Sequence, residues 1–355
     1  MSVGAEIVVV DPHHPDPAVL ARAGALLRAG QLVAFPTETV YGLGANALDA
    51  AAVTRIFGVK ERPADDPLIV HVADLAGVLA LVTHLPPLAQ ALAARFWPGP
   101  LTLVLPRGPA VPLQVTAGLD TVAVRMPAHP VALGLIRAAG VPIAAPSANL
   151  FTRPSPTRAA DVAADLGSRI LLILDGGPTT HGVESTVLDL STHPPRLLRP
   201  GALTLEQLRS VLPDLAAPAA LGAAARRSPG TMLKHYAPRA EMRLLDGAHP
   251  ARVLAALAEE VQAAQVAGRV VGLLLTDEDL AALGARAPGP GVRVAALGPA
   301  ADLAGQAHRL FAALRDLDQA GADLILARAP PAAGLGLTLR DRLRRAAAGR
   351  VRLVE

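Results

Sequence analysis

Through residue 212, short apolar runs stopped by proline, glycine or hydroxyl side chains alternate with segments whose apolar positions recur every three or four residues. The first kind reads as buried strands and the second as amphipathic helices, so one α/β domain is expected here. Residues 17–29 are predicted as the first helix, capped by Asp16, with Leu20, Ala23, Leu26 and Leu27 on one face. A buried strand follows over residues 31–35, and Pro36 ends it. Thr37 to Ala47 carries hydroxyls, Tyr41, Gly42 and Gly44, and reads as a polar loop. It leads to a helix near Asp49 that turns Val53, Ile56 and Phe57 inward. Strand, polar loop and helix in that order place a ligand at the carboxyl edge of an α/β sheet, although a lone Gly-x-Gly serves a tight structural turn equally well.

The same design recurs downstream. Gly58 to Pro67 is read as a Pro-punctuated loop carrying Lys60 and Arg62, with a solvated turn as the alternative. His71 interrupts the apolar strand at residues 68–72, either as a core histidine or at the edge of a pocket. Trp97 lies in a Pro-Gly turn and is expected to pack. The strand at 121–127 carries Arg125 near its end, where a guanidinium can meet a carboxylate or phosphate, or make a surface salt bridge. Residues 142–149 repeat strand, proline and small polar side chains. Ser155-Pro156-Thr157 is predicted to cap a helix over residues 158–166 whose free N–H groups could receive an anion. A strand at 170–174, a turn at 175–178, Ser185 at a strand entrance and Arg199 at a strand end complete the pattern.

Residues 213–229 are rich in Ala and Pro and read as a linker, ending in a more specific segment with Lys234, His235 and Tyr236. A second α/β pattern starts near Glu241, with strands at 243–245, 270–275, 292–296 and 323–326. Helices at 250–266, 277–284, 300–319 and 338–348 alternate with them, which suggests a smaller flavodoxin-like or Rossmann-like domain. Its last helix carries Arg340, Arg342, Arg344 and Arg345, read as a solvated face, with an RNA contact as the weaker alternative. The expected division is 1–212, a linker at 213–240, and 241–355.

Composition narrows the chemistry. The chain is 52% hydrophobic but 2% aromatic, so its cores must be built from Leu, Val, Ile and Ala. It has no cysteine, which removes thiol catalysis, disulfides and thiolate zinc. A cytoplasmic protein without membrane contact is expected, since no long apolar run or basic-then-apolar start appears. A net charge of +3 permits nucleic-acid contact without arguing for it. Arginine is so preferred that Lys60 and Lys234 are the only lysines; Asn46 and Asn149 are the only asparagines, and Tyr41 and Tyr236 the only tyrosines. Each falls in a segment singled out on other grounds.

Neither a P-loop, a full Gly-x-Gly-x-x-Gly, a Gly-x-Ser-x-Gly elbow nor a cluster at metal-ligand spacing occurs. What recurs is Lys60, Arg62, Arg125 and Arg199 with hydroxyls at Thr39, Thr121, Ser147 and Ser185. That set suits several anionic groups held at once without a side-chain nucleophile. Nucleotidyl transfer needs such a site, because positioning and charge stabilisation supply most of its catalysis.

Phe35 to Ala47, Lys60-Glu61-Arg62-Pro63 with Pro67-Leu68-Ile69-Val70-His71, Pro146-Ser147-Ala148-Asn149 and Glu184-Ser185-Thr186-Val187 together resemble the YrdC-like family, whose fold is a twisted mixed sheet. The His235-Tyr236 linker and the second domain are similar to its two-domain form, the threonylcarbamoyl-AMP synthases of tRNA modification. The resemblance implies a nucleotidyltransferase that turns L-threonine, bicarbonate and ATP into threonylcarbamoyl-adenylate, pyrophosphate and water. A downstream transferase would pass the group to the tRNA adenosine next to the anticodon. It further implies Thr39, His71, Arg125, Ala145 and Ser185 around threonine, and Arg62, Asp66, Thr121, Ser147, Ser155, Arg199 and Tyr236 on ATP. Lys60 and Arg62 with Ser147 and Asn149 would be the catalytic Lys-x-Arg and Ser-x-Asn elements. Magnesium would be held mainly by the ATP phosphates, without a metal site of the protein's own. Asp66 departs from the family pattern, where Asn or Lys is more usual; a carboxylate there repels phosphate unless it reaches the metal. His235 and Tyr236 would close over the pocket as a lid. A double-stranded RNA-binding module is the rival reading, disfavoured by cations at separate strand ends and no stacking platform. The hydrogenase-maturation carbamoyltransferase, which shares a YrdC-like domain, needs cysteine zinc motifs that this chain lacks. A contact with tRNA itself is compatible with the resemblance.

Overall fold

The chain opens with β1 (Glu6–Val9) and α1 (Pro17–Arg28), and α1 starts where Asp16 accepts a hydrogen bond from the Ala18 N–H and Pro17 occupies the first turn. The structure is a computed structural model describing residues 4–217, 232–284, 289 and 291–355. It divides into two units. The first runs to Phe151 and resumes at Ser155; the second takes Thr152–Pro154 and the chain from Met232 onward. Half of the linker expected at 213–240, residues 218–231, lies outside the described residues.

In the first unit β1 and α1 are followed by β2 (Val33–Phe35), β3 (Gly42–Asn46), α2 (Ala50–Lys60), β4 (Ile69–His71), α3 (Leu75–Leu79), α4 (Pro87–Phe96) and β5 (Leu101–Pro106). Then come α5 (Leu113–Thr116), β6 (Thr121–Arg125), α6 (Pro130–Ala139), β7 (Ile143–Ala144), α7 (Ala159–Leu166), β8 (Leu172–Asp175), β9 (Thr186–Asp189), β10 (Arg196–Arg199) and α8 (Leu205–Arg209). The strands form one mixed sheet in the order β1-β8-β2-β3-β7-β4-β6-β5-β9-β10. One face carries the main core, covered by helices that include α2, α4, α7 and α8. On the other face, α1 and α6 cover only the half around β2, β7 and β8. Gly24 permits that pairing, since a Cβ there would stand 2.8 Å from the Ala138 and Ala139 backbone.

Three expectations need correction here. The polar loop is shorter than Thr37 to Ala47, because Gly42–Asn46 forms β3, antiparallel to both β2 and β7. Gly44 lacks a side chain for the sake of packing: a Cβ would lie 2.9 Å from both the Phe35 ring and Ile143. Lys60 is the last residue of α2 and is buried, with Glu61 closing the helix in the left-handed region, so no loop or solvated turn starts at Gly58. Finally, α7 begins after Arg158. The carboxylate of Asp161 accepts from the Thr157 and Arg158 N–H groups at 3.1 Å each, so those two donors are taken and Ser155 to Thr157 does not form the cap.

The second unit contains β11 (Glu241–Asp246), α9 (Pro250–Val266), β12 (Val271–Leu275), α10 (Asp277–Leu283), β13 (Val292–Ala296), α11 (Leu303–Gln319), β14 (Leu324–Arg328), α12 (Leu335–Ala346) and β15 (Val351–Leu353). Its sheet is parallel throughout, in the order β13-β12-β14-β11-β15. β12 is buried at every position, as a strand covered on both faces must be. The arginines of α12 do not make a solvated face. Arg340 pairs with Asp246, while Arg342 and Arg345 are buried against Asp341. Among the described residues no helix is long and apolar enough to cross a membrane.

Candidate active site

The half-face of the large sheet away from α1 and α6 has its own buried apolar floor of Ile69, Val104, Ala123, Val187 and Leu198, from β4, β5, β6, β9 and β10. Among the described residues no helix of this unit adds a side chain to it. Side chains alternate along a strand, so residues two positions away share that face. They are His71 beside Ile69, Thr121 and Arg125 either side of Ala123, Thr102 beside Val104, and Ser185 and Asp189 either side of Val187. A floor of small apolar residues ringed by hydroxyls, an imidazole and an arginine is a ligand surface in the making. β4 and β6 run parallel with His71 opposite Arg125, which puts both at carboxyl ends of strands.

Over these ends stands the loop between β2 and β3. Its Glu38 is 8% exposed and lies 2.7 Å from Arg125 Nη2, itself 4% exposed. The surface salt bridge considered for Arg125 is therefore a buried ion pair. Its alignment is poor: both Glu38 oxygens, Arg125 Nη2 and His71 Nδ1 lack a well-formed hydrogen bond among the described residues. Burial pushes the Glu38 carboxyl up, but the Arg125 charge, its close contact and the nearby backbone N–H groups together outweigh burial and hold the carboxyl below the usual carboxylate range. His71 is driven down to about 3 by burial and, secondarily, by the Arg125 charge, so it is neutral at physiological pH. Burial also lowers His129 and His181, both within reach of the Glu38 charge. His129 Nδ1 accepts from the Val131 N–H at the start of α6, and the His181 N–H holds the Glu38 carbonyl. Thr37 donates to the Val40 carbonyl at 2.6 Å, so in its 2.8 Å contact with Thr39 the Thr39 hydroxyl is the donor.

The two strand–proline–hydroxyl segments sit side by side. Leu43 N–H reaches the Pro146 carbonyl, Ala148 N–H reaches the Tyr41 carbonyl, and Gly42 bridges to Ser147. Lys60 locks the second segment, donating at 2.5 Å to the carbonyls of both Ser147 and Asn149. Arg62 pairs with Asp66 at 2.9 Å and also donates to the Pro67 carbonyl. Burial raises the Asp66 carboxyl against the pull of Arg62, Lys60 and Arg199, which places these charges in one group. Arg199 holds the Ser185 carbonyl at 2.8 Å and its hydroxyl at 3.2 Å, and Ser185 touches Thr102 at 2.8 Å. Ser155 reaches Glu184 at 2.5 Å. The Ala145 N–H is taken by the Ile69 carbonyl, leaving its own carbonyl to offer.

One expected residue lies farther along the face, and two belong to the other unit. Thr121 shares the face of Arg125 but begins β6 opposite Pro106, about 13 Å away at the strand rise per residue. His235 and Tyr236 belong to the second unit, where the Tyr236 ring lies 5.2 Å from the Phe311 ring and under Arg342 at 5.0 Å. Tyr236 has φ 61°, a left-handed conformation that costs a tyrosine of order 1–3 kcal/mol. Tyr41 turns out to be structural: it is fully buried and its hydroxyl donates to the Gly177 carbonyl at 2.7 Å. Sequence reasoning missed Glu38, Glu184, His129 and His181. A carboxylate inside each of two hydroxyl-rich motifs was the available signal for the glutamates. Among the described residues no group of three or more acidic or histidine side chains could hold a metal ion.

The chain is similar in sequence and fold to known proteins. Residues 25–201 match the family described as telomere recombination, which covers Sua5, YciO and YrdC, and residues 203–348 match the threonylcarbamoyl-AMP synthase C-terminal domain. The threonylcarbamoyl-AMP synthase of Bacillus subtilis is 48% identical over 94% of both chains, and that of Pyrococcus abyssi 47% identical over 93% of this chain and 94% of its own. The crystal structure of P. abyssi Sua5 complexed with L-threonine superposes with a TM-score of 0.91 at 44% identity, covering 99% of this chain and 100% of that one. A variant of the same Sua5, with alanines at an adjacent histidine and tyrosine, gives 0.90. The chain thus belongs to the threonylcarbamoyl-AMP synthase family of nucleotidyl-transferring enzymes, in its two-domain form.

Proposed function

We propose that this chain condenses L-threonine, bicarbonate and ATP to L-threonylcarbamoyl-adenylate, pyrophosphate and water, for transfer to tRNA by a downstream enzyme. The observation that carries the reading is the set of buried, poorly satisfied polar atoms on Glu38, His71 and Arg125 at the carboxyl ends of β4 and β6. Buried polar groups are normally satisfied, and a cluster that is not has been left for a ligand. An amino acid zwitterion completes it by exchange of partners: its carboxylate takes the Arg125 guanidinium while its ammonium takes Glu38. Total charge is conserved, so the exchange avoids stranding either buried charge.

Thr39, Ser185 and the Ala145 carbonyl complete the threonine contacts. With His71 neutral and Glu38 ionised, neither stores the amine proton at pH 7, and it leaves to water. The amine nitrogen then bonds to the bicarbonate carbon with loss of water, and a carbamate oxygen attacks the α-phosphorus as pyrophosphate departs. Arg62, Arg199, Ser147, Ser155 and, farther along the face, Thr121 receive ATP, with Lys60 and Asn149 fixing the Ser147 turn. A magnesium ion brought by the triphosphate supplies further charge neutralisation. Asp66, already paired with Arg62, would hold that cation's place among the phosphates only by facing the ion. Tyr236 and His235 serve as the lid that keeps water from the mixed anhydride. The test is incubation with carbon-13 bicarbonate, threonine, ATP and magnesium, followed by mass analysis of the adenylate. Label in a threonylcarbamoyl-adenylate supports the reading; an adenylate without label, or none, overturns it.

A further inference from the structure

The second unit holds a cavity of about 270 Å³ that the proposed reaction does not use. Leu274, Leu275 and Thr276 reach it from the end of β12, and Arg328 and Pro330 from the end of β14. These strands are neighbours, yet the chain leaves them in opposite directions, from β12 through α10 to β13 and from β14 through α12 to β15. Right-handed crossovers then send the two helices to opposite faces and open a crevice beyond the carboxyl ends, the place where open parallel sheets bind ligands.

The polar groups in its wall are few and specific. Arg328 Nε donates to both Asp279 oxygens at 3.0 and 2.9 Å, and the pair is 19% and 7% exposed. The two terminal nitrogens of Arg328 make no hydrogen bond among the described residues. Gln306 donates through Nε2 to the Pro299 and Ala300 carbonyls at 2.8 and 3.1 Å, which leaves its Oε1 without a donor among the described residues. The remaining lining is mostly leucine and proline. Arg328 is already neutralised by Asp279, so an anion would bury net negative charge among apolar walls, at a cost of several kcal/mol. An uncharged ligand avoids that cost and still satisfies both groups.

We propose that this cavity binds a small uncharged heterocycle that presents an acceptor to Arg328 and an N–H donor to Gln306, the chemistry of a nucleobase edge. Its size falls just under the roughly 300 Å³ at which ligand pockets begin, which limits the ligand to one or two rings. An apolar cavity of about 150 Å³ already accepts benzene.

The experiment titrates uracil and hypoxanthine into the full chain with carbon-13 leucine methyls, with benzoate as the anionic control. The expected result is saturable shifts at Leu274, Leu297 and Leu343 with at least one heterocycle and weaker binding of benzoate. Ala300→Phe, which adds bulk to the cavity wall, should weaken binding about tenfold or more. Absence of shifts up to the solubility of both heterocycles, tighter binding of benzoate, or binding that survives Ala300→Phe would each overturn the assignment. Because the readout is a shift in the second unit, failure of the proposed reaction would leave it untouched.

Discussion

At the residue scale the account turns on Arg125 and its neighbours. Removing Arg125 outright would leave Glu38 charged, buried and alone, a loss of about 3–5 kcal/mol that would obscure any effect on binding. Arg125→Lys keeps the charge but loses the planar fork. It should weaken threonine binding by about tenfold or more in calorimetry while ATP binding stays near that of the parent. His71 gives a pH signature. Its folded value near 3 lies below the 6.5 of an unfolded histidine, so between those values the unfolded chain holds more protons. Stability therefore falls as pH drops from 6.5 toward 3, by up to about 1.4 kcal/mol per pH unit from this group. Denaturant titrations at pH 7, 6 and 5 should show that decline, and His71→Asn should flatten it; an equal slope in both proteins would contradict the burial argument. Much of this site was legible in the sequence because rarity exposed it. Lys60 and Asn149, each one of only two of its kind, meet at 3.5 Å. Glu38 was not legible as a partner of Arg125, since their meeting depends on where β4, β6 and the β2–β3 loop come to rest.

At the scale of elements, long periodic segments were read well and short ones were read through their composition. The helix at 250–266 emerges with the bounds its periodicity predicts, helped by Pro250 at the first turn. β3 reads as a loop because Gly42 and Gly44 have no strand propensity; it is a strand because β2 and β7 pair with it from both sides. β15 escaped notice because three residues with Arg352 in the middle carry no pattern that a parallel partner, β11, does not supply. Helix α12 is the instructive error. Four arginines look solvated in a sequence, yet Arg342 is fully buried, 2.6 Å from Asp341 and stacked on Tyr236. Arg342→Ala should cost about 3–5 kcal/mol of stability in urea unfolding, where a solvated arginine would cost within about 0.5 kcal/mol. That burial also removes much of the basic face on which an RNA-binding reading would rest.

At the scale of the whole molecule, one unit carries a sheet half-face equipped with polar side chains, and the other holds Tyr236 in a strained conformation. Tyr236→Ala would excavate the packing against Phe311 and confound stability with function. Tyr236→Phe keeps the ring and removes only the hydroxyl. It should lower ATP affinity severalfold with the melting temperature nearly unchanged, and equal ATP affinity would remove Tyr236 from the nucleotide contacts. The most direct test of the central claim is pyrophosphate release from ATP and magnesium, measured with threonine and bicarbonate together and with each omitted in turn. Release is expected only when both are present and is lost when either is withheld. Release that proceeds without threonine, or without bicarbonate, would contradict that claim.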